Sequence, residues 1–322
     1  MSPPDLPTSS MRVTGQPSAT EVAHVIDLAL RAERADGAAP LNEQALLNLR
    51  TGGAQVRHVF GVDDAELVAY GQIDMPEAAQ DTATGSVAEP VGECVVDPSH
   101  RQCGWGAAVA ARLLEEAAGS AVLLWSHTGH PGVQRLARKL GFESIRELWQ
   151  LQRPLGADAD VLPEARVPDG IQVRTFVVGH DEQAWLRVNR RAFAEHPEQG
   201  GMTADDLSQR IDSDWFDAGG FFVAERTGRD DGRLVGFHWT KLQPVAGGPI
   251  GEVYVVGVDP DEQGSGLGSA LTLIGLHHLR DRSATDVLLY VEADNGPALR
   301  VYERLGFAHI GSDTQYRHPG LR

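Results

Sequence analysis

Cysteine is scarce in this chain. Its 322 residues hold two, Cys94 and Cys103, nine positions apart. Two cysteines cannot build a disulfide framework or a cysteine-only metal site. Basic residues are also short, with 28 Lys and Arg against 45 Asp and Glu and a net charge of −17. A field of that sign repels polyanions, so no nucleic-acid and no membrane partner is expected; a small anion held by local backbone dipoles remains open. Long apolar runs are missing too, and stretches such as Ala117 to Trp125 fall well short of the roughly 18 residues a bilayer span needs. The start, Met1 to Pro7, is proline-rich and polar, so no secretory signal is expected. What is present is a normal globular supply, 42% hydrophobic and 23% charged residues. The length suits one large domain or two of about 150 residues. The expectation is a cytoplasmic protein, monomeric and soluble.

The chain repeats itself. Cys94-Val-Val-Asp-Pro-Ser-His-Arg-Gln-Cys-Gly-Trp-Gly106 reads like Val256-Gly-Val-Asp-Pro-Asp-Glu-Gln-Gly-Ser-Gly-Leu-Gly268, with the Asp-Pro pairs 162 residues apart. Leu140-Gly141-Phe142 returns as Leu305-Gly306-Phe307 at an offset of 165, and Leu67 to Gly71 resembles Leu234 to His238 at 167. Landmarks in one order at a nearly constant offset mean one domain written twice. The proline-bearing, aperiodic stretch from Arg153 to Gly170 reads as the join, which predicts domains over 1–153 and 171–322 with a linker at 154–170. Each half carries two helical segments (Thr20 to Arg34 and Asn42 to Leu49; Glu182 to Phe193 and Thr203 to Asp212). Two short strands follow, then a Pro/Gly-rich loop, a strand, a Gly-rich turn, and an apolar-periodic helix (Gly106 to Ala118; Gly268 to Leu279). A strand, a helix ending at Leu-Gly-Phe and a last strand close each half. Gly141 and Gly306 stand where a helix C-cap wants positive φ. The fold class is α+β, each half a mixed, mostly antiparallel sheet flanked by helices.

The turn after Val253 to Val258 carries the chemistry. Asp259-Pro260 leads into Gln263-x-x-Gly266-x-Gly268 and then a helix. Glycines at a strand-to-helix turn leave backbone N–H groups bare, and the helix dipole adds positive potential, which suits a phosphate or pyrophosphate. A P-loop needs a lysine that Gly266-Leu-Gly-Ser269 lacks. A dinucleotide fingerprint needs an acidic ribose ligand about 20 residues on, which Asp281 to Asp286 supplies poorly.

Gln263-x-x-Gly266-x-Gly268 with Asn295-x-x-Ala298 and Tyr302-x-x-Leu305-Gly306-Phe307 resembles the signature of the GNAT acetyltransferases. As a tandem pair the chain looks more specifically like the mycothiol synthase family, through Asp36 to Glu43, Arg187 to Arg190, His196-Pro-Glu-Gln-Gly-Gly201, Phe237-His-Trp-Thr-Lys241, Gly251 to Val258 and Leu289-Tyr-Val-Glu292. The resemblance implies two tandem acyl-CoA N-acyltransferase domains and acetyl transfer from acetyl-CoA to the cysteine amine of cysteinyl-glucosaminyl-inositol, without a metal. For CoA it implies Val256, Gly257 and Val258 beside the pantetheine arm and Gln263, Gly264, Ser265, Gly266, Leu267, Gly268 and Ser269 at the pyrophosphate. It adds the helix start Asn295, Gly296, Pro297, Ala298, Leu299 and Arg300. The first-half counterparts are Cys94, Val95 and Val96 with Gln102, Cys103, Gly104, Trp105, Gly106 and Ala107. For the acceptor it implies Glu43, Glu198, Lys241, Glu252 and Tyr290, a pocket shared between the halves. Glu252 is the candidate base for an amine whose ordinary pKa is near 8, and Tyr302 the candidate acid for the leaving thiolate.

The halves differ at these positions. Aligned on Leu-Gly-Phe, Tyr302 falls on Ala137 and Asn295 on His130. Aligned on Asp-Pro, Glu252 falls on Pro90, with Glu89 and Glu93 close by. Trp105 is expected to crowd a pyrophosphate in the first half. Catalysis is therefore expected in the second half, with the first either binding CoA without turnover or serving as scaffold. His127 and His130 are three apart with no third ligand nearby, which argues against a metal site. A GNAT enzyme for another small amine and a non-catalytic acyl-CoA sensor are the competing readings, the second disfavoured by the presence of both Glu252 and Tyr302.

Overall fold

Ser18 sets the start of the first helix. Its hydroxyl accepts from the Glu21 N–H while the Glu21 carboxylate returns to the Ser18 N–H, a capping box. Helix α1 (Ala19–Asp36) buries Val25, Leu28 and Ala32 along one stripe and stops at Gly37, φ +79°. Before it runs β1 (Met11–Thr14), and after it α2 (Glu43–Thr51), where the Asn42 side chain accepts from the Ala45 N–H. The first repeat continues with β2 (Val56–Asp63), β3 (Glu66–Asp74), β4 (Val91–Val96), α3 (Trp105–Glu116), β5 (Val122–Ser126), α4 (Pro131–Leu140) and β6 (Glu143–Pro154). The second holds β7 (Ile171–Thr175), α5 (Glu182–Ala192), α6 (Ala204–Ile211), β8 (Phe221–Arg226), β9 (Leu234–Gln243), β10 (Ile250–Val258), α7 (Leu267–Asp281), β11 (Asp286–Glu292), α8 (Gly296–Arg304) and β12 (Ala308–His318). The structure, a computed structural model, describes residues 11–75, 89–127, 129, 131–156, 159–194, 196, 199–228, 232–245 and 248–321. Strands β1 and β7 have no counterpart in the sequence reading: they are short edge strands whose partners, not their own patterns, define them. Gly141 and Gly306 take positive φ as expected, +83° and +82°.

The chain divides into two compact units. Unit 1 is Met1–Trp149 with Gly311–Arg322, and unit 2 is Gln150–Ile310. This division differs from a cut at 154–170, because the last strand of each repeat completes the sheet of the other. Thr314 to His318 of β12 pair antiparallel with Ser126 to Val122 of β5 in unit 1. In unit 2 the Gln152 side chain of β6 donates to Asp286 of β11 at 2.8 Å, and the Leu155 N–H bonds the Thr285 carbonyl at 2.8 Å.

The strands run β1-β2-β3-β4-β5-β12 in unit 1 and β6-β11-β10-β9-β8-β7 in unit 2, the unit boundaries falling inside β6 after Trp149 and inside β12 after Ile310. In each, one central pair is parallel, β4 with β5 and β10 with β11. Strand residues alternate between two faces. In unit 1, Val59, Val68 and Ala69 pack with Trp105, Val109 and Leu113 on the α3 side. Phe60, Tyr70 and Val95 pack with Val25, Leu28 and Leu49 of α1 and α2. In unit 2, Leu267 and Leu271 of α7 cover Ala224 and Val235. On the α5 side, Trp239 stacks on Phe221 at 4.3 Å between ring centres with Trp185 edge-on to both. Each such aromatic pair adds about 0.5–1.5 kcal/mol beyond its buried area. No helix among the described residues is long and apolar enough to cross a membrane.

Candidate active site

The site in unit 2 begins where two parallel strands part. β10 is nine residues long, but only Ile250, Gly251 and Glu252 pair with β11, opposite Asp286, Val287 and Leu288. On its other side β10 stays paired with β9 to Val258, shifting register at Tyr254. Tyr254 is an inserted bulge residue, and a bulge bends its strand. Glu252 therefore stands at the crotch of a fork, with Val253 to Val258 beyond the last pair. Gly257 is forced to be glycine, since a Cβ there would lie 2.8 Å from the Phe237 ring.

At the far end of β10 the Asp-Pro turn is locked in place. Asp259 accepts from the Asp261 N–H at 3.0 Å, and Arg191 of α5 clamps both its oxygens at 2.8 and 2.9 Å. Those Arg191 bonds hold its carboxyl below the usual range. Gly264 and Gly266 follow with φ of +79° and +89°, and α7 starts at Leu267 with no side-chain cap. Nothing lies within 4 Å of where a Cβ at either glycine would be. An uncapped helix start offers its first-turn N–H groups to an anion, and the open glycines let a pyrophosphate approach. The residues fit the CoA phosphates. The Leu267 side chain is fully buried and its N–H donates to Ser265 Oγ at 3.4 Å, while the Ser265 hydroxyl donates to the Glu262 carbonyl at 2.6 Å. Asn295 caps α8 through the Ala298 N–H at 3.2 Å, a structural bond that places Gly296 to Arg300.

Lys241 faces Glu252 across the β9–β10 ladder. Its ammonium lies 4.4 Å from the centre of the Trp215 ring and 5.3 Å from that of Tyr254, so two aromatic faces hold the cation. Arg210 of α6 donates to the Tyr254 hydroxyl at 2.8 Å. Of the Phe237-His-Trp-Thr-Lys241 string, Phe237, His238, Trp239 and Thr240 are buried. Tyr290, 46% exposed at the outer end of β11, accepts from the Gln150 amide at 3.1 Å. Tyr302 on α8 is 8% exposed and edge-on to Phe307, and burial pushes its phenol up to about 12. The loop after α5 is tied down by Asn189, which bonds the Gln199 carbonyl at 2.7 Å and the Gln199 amide at 2.9 Å. Glu198 lies outside the described residues. His196 in that loop comes within 3.6 Å of Glu292; nothing in the sequence pattern singled Glu292 out as an ionic partner.

Unit 1 repeats the turn with changes. Asp97 is clamped by Arg31 at 2.7 Å and accepts from the Ser99 N–H at 2.9 Å. Burial alone would raise its carboxyl, but the bonds from Ser99 and Arg31 hold it well below the usual range. Gly104 has φ +96°, and Gln102 takes φ +64° where unit 2 has Gly264. Trp105 does not crowd a phosphate. It is the first residue of α3 and 3% exposed, lying against Gly61, where a Cβ would come within 2.9 Å of its ring; Leu267 is buried in the same place in unit 2. Cys103 is exposed, while burial, helped by Glu93, pushes the Cys94 thiol up to about 11.

The partner of Glu252 is also corrected. Glu252 pairs with Lys241 and Leu288, and Val91 pairs with their repeat counterparts Asp74 and Leu123, so the matching residue is Val91, not Pro90. Asp-Pro alignment is off by one because the second repeat carries the bulge residue Tyr254 in this strand. Glu93 accepts the Asn42 N–H at 2.8 Å and so anchors the start of α2, where Glu43 is the first residue. Among the described residues no group of three or more His, Cys, Asp or Glu is arranged to hold a metal.

Comparison with known proteins agrees with this geometry. The model of the acetyltransferase (GNAT) family matches twice, over residues 22–142 and 185–307. The chain is 49% identical over 299 residues to the mycothiol acetyltransferase of Thermomonospora curvata, covering 93% of this chain and 94% of that one. It is 47% identical over 296 residues to that of Streptomyces coelicolor, covering 91% and 90%. Among solved structures, the tandem GNAT protein from the clavulanic acid biosynthesis pathway superposes with a TM-score of 0.72 at 16% identity, covering 97% of this chain and 99% of that one. At that identity the likeness speaks for the fold alone.

Proposed function

The chain belongs to the acetyltransferase (GNAT) family, and we propose that it is the acetyl-CoA-dependent N-acetyltransferase of mycothiol formation, acting on the cysteine α-amine of cysteinyl-glucosaminyl-inositol. The observation that carries the reaction type is the fork in unit 2. An acidic residue, Glu252, stands at its crotch, and an uncapped helix start follows two open glycines at its far end. Relatives at 43–49% identity named mycothiol acetyltransferase support the acceptor.

Acetyl-CoA is the co-substrate of this family and supplies the acyl group as a thioester. The N–H groups of Gly264 to Ser269 hold its phosphates, and the edge of β10 at Val256 to Val258 offers ladder bonds to its amide-bearing arm. The acceptor α-amine has an ordinary pKa near 8 and is partly protonated at neutral pH. Glu252 takes that proton, directly or through water. Lys241, steadied by Trp215 and Tyr254, donates to hydroxyl oxygens of the sugar or inositol, and Tyr290 binds alongside. Tyr302 delivers the proton the departing thiolate needs. No side chain forms a covalent intermediate, so orientation and proton handling supply the rate. Unit 1 has Ala137 where unit 2 has Tyr302, which supports turnover in unit 2. Glu198 joins the acceptor residues through the family resemblance.

The test is incubation of purified protein with acetyl-CoA and cysteinyl-glucosaminyl-inositol, followed by product mass. An N-acetylated product establishes the reading. Bound acetyl-CoA without product overturns the acceptor and leaves an acetyltransferase for another amine.

A further inference from the structure

Helix α5 ends sooner than its counterpart in unit 1. Arg191 and Arg31 mark the same position, since each clamps the aspartate of its Asp-Pro turn. Past that arginine α1 runs on to Asp36, whereas α5 stops at Ala192. The chain then folds back tightly: a Cβ at Gly200 would collide with the Phe193 carbonyl oxygen, so only glycine fits there. One side chain fastens this return. Asn189 is 0% exposed; its amide donates to the Gln199 carbonyl, and its oxygen accepts from the Gln199 amide. At the same place in α1, two residues before the arginine, stands Ala29, which can make neither bond.

The fastened stretch lies across the fork. Register puts Lys241, Glu252 and Leu288 on one face of the sheet, and Tyr290 and Glu292 follow on that face at two-residue steps. Phe237 shares the face with Lys241 along β9, and Gly257 is its partner on β10. Phe193 reaches this first arm, where a Cβ at Gly257 would meet its ring at 3.0 Å. His196 reaches the second arm, 3.6 Å from Glu292. The stretch thus touches β10 and β11 where they have parted, on the face that presents Glu252, Lys241 and Tyr290.

Helix α5 therefore makes two attachments. Arg191 holds the glycine turn, and unit 1 keeps that clamp. Asn189 holds the stretch over the fork, and unit 1, which has Ala137 for Tyr302, does without it. An attachment confined to the unit with the acid serves the acceptor rather than the fold the two units share.

We propose that Asn189 is a positioning residue for the acceptor amine: fastened by it, the stretch carrying Phe193 and His196 walls the fork on its Glu252 face and orients the substrate there. Asn189 itself touches no substrate. This deepens the acceptor reading of Glu252 and Tyr290 and rests on it.

The full chain carrying Asn189→Leu is assayed with acetyl-CoA and cysteinyl-glucosaminyl-inositol, each varied while the other saturates. The KM for the acceptor should rise about tenfold or more, and that for acetyl-CoA should change by less than about twofold. An unchanged acceptor KM, or equal rises in both, overturns the inference, because a purely structural bond would not favour one substrate. Gln199→Ala decides where the leucine variant does not fold. It keeps the bond to the Gln199 carbonyl, loses the one from the side chain, and should raise the acceptor KM about threefold. An acceptor KM unmoved by that change also overturns the inference. Amide hydrogen exchange needs no acceptor: the Gly200 N–H, bonded to the His196 carbonyl at 3.0 Å, should exchange about tenfold faster in Asn189→Leu while the Ala270 N–H of α7 stays protected. No acceleration, or equal loosening of both, overturns the fastening. No product from the unaltered protein sinks the acceptor reading and the acceptor role of Asn189 together; product with both variants unmoved sinks the role of Asn189 alone.

Discussion

Replacing Tyr302 with phenylalanine removes one oxygen from a ring that is 8% exposed and packed edge-on to Phe307 at 5.7 Å. Burial has pushed that phenol up to about 12, so at about pH 8 it is almost wholly in its acid form. A phenol so placed can give a proton to a departing thiolate but cannot act as a base. Because the ring is kept, the fold should lose no more than about 0.5–1.5 kcal/mol, the net worth of one hydrogen bond. Positioned proton transfer contributes about 10² to 10⁴ in rate. The lower figure corresponds to about 2.7 kcal/mol of barrier, well above the stability effect. Single-turnover acetylation should therefore slow by about a hundredfold or more. The Kd for acetyl-CoA, measured by calorimetry, should change by less than about twofold, because the lost interaction belongs to the transition state. A slowing below about fivefold, or a Kd that rises by the same factor as the rate falls, would refute the acid role of Tyr302.

Three further outcomes follow from the geometry. Gly266→Ala must adopt φ +89° at the α7 start, a left-handed conformation costing about 1–2 kcal/mol, so acetyl-CoA should bind more weakly and Tm should fall; unchanged affinity would remove this turn from the phosphate site. Gly275→Ala would place a Cβ 2.1 Å from the fully buried His238 ring, whose Nδ1 donates to the Leu271 carbonyl at 2.7 Å, so overpacking should lower stability by about 1–3 kcal/mol in denaturant titration; no loss would show that the ring can move. For His127, the folded value of about 10 exceeds the ordinary 6.5. Its contribution to stability is therefore full below 6.5 and lost as pH rises through about 10. The groups around it are Glu93 on β4 and Asp313 on β12, with Trp125 stacked on the ring and Arg146 of β6 over Trp125. The stability gap between the unaltered protein and His127→Gln should shrink from about pH 6 to about pH 10, and a gap that stays constant or grows contradicts the assignment.

Local chemistry announces itself in a sequence, and much of this protein is local chemistry. The Ser18 and Thr203 caps, the glycines that end α4 and α8, and the Asp-Pro turn before each Gly-rich helix all act within a few residues. Their doubling at a nearly constant offset was enough to read two α+β units of the GNAT kind. The apolar period of each helix marked the face that meets the sheet.

Contacts between distant residues were a different matter. That Thr314 to His318 complete the sheet holding β5, and that Gln152 bonds Asp286 of β11, rests on pairing between strands far apart in the chain, which no local pattern records. That Trp105 turns into the core depends on Gly61, forty-four positions earlier. That Val91 matches Glu252 depends on strand pairing across the Tyr254 bulge. The union of Glu93, His127 and Asp313 spans most of the chain. The sequence by itself determined the repeat, the helices and the turns, because short-range capping and periodicity encode them. Only the tertiary structure decided that Glu252 stands where two parallel strands part and that Glu93 meets His127, because residues far apart in the chain are brought together there through long-range pairing.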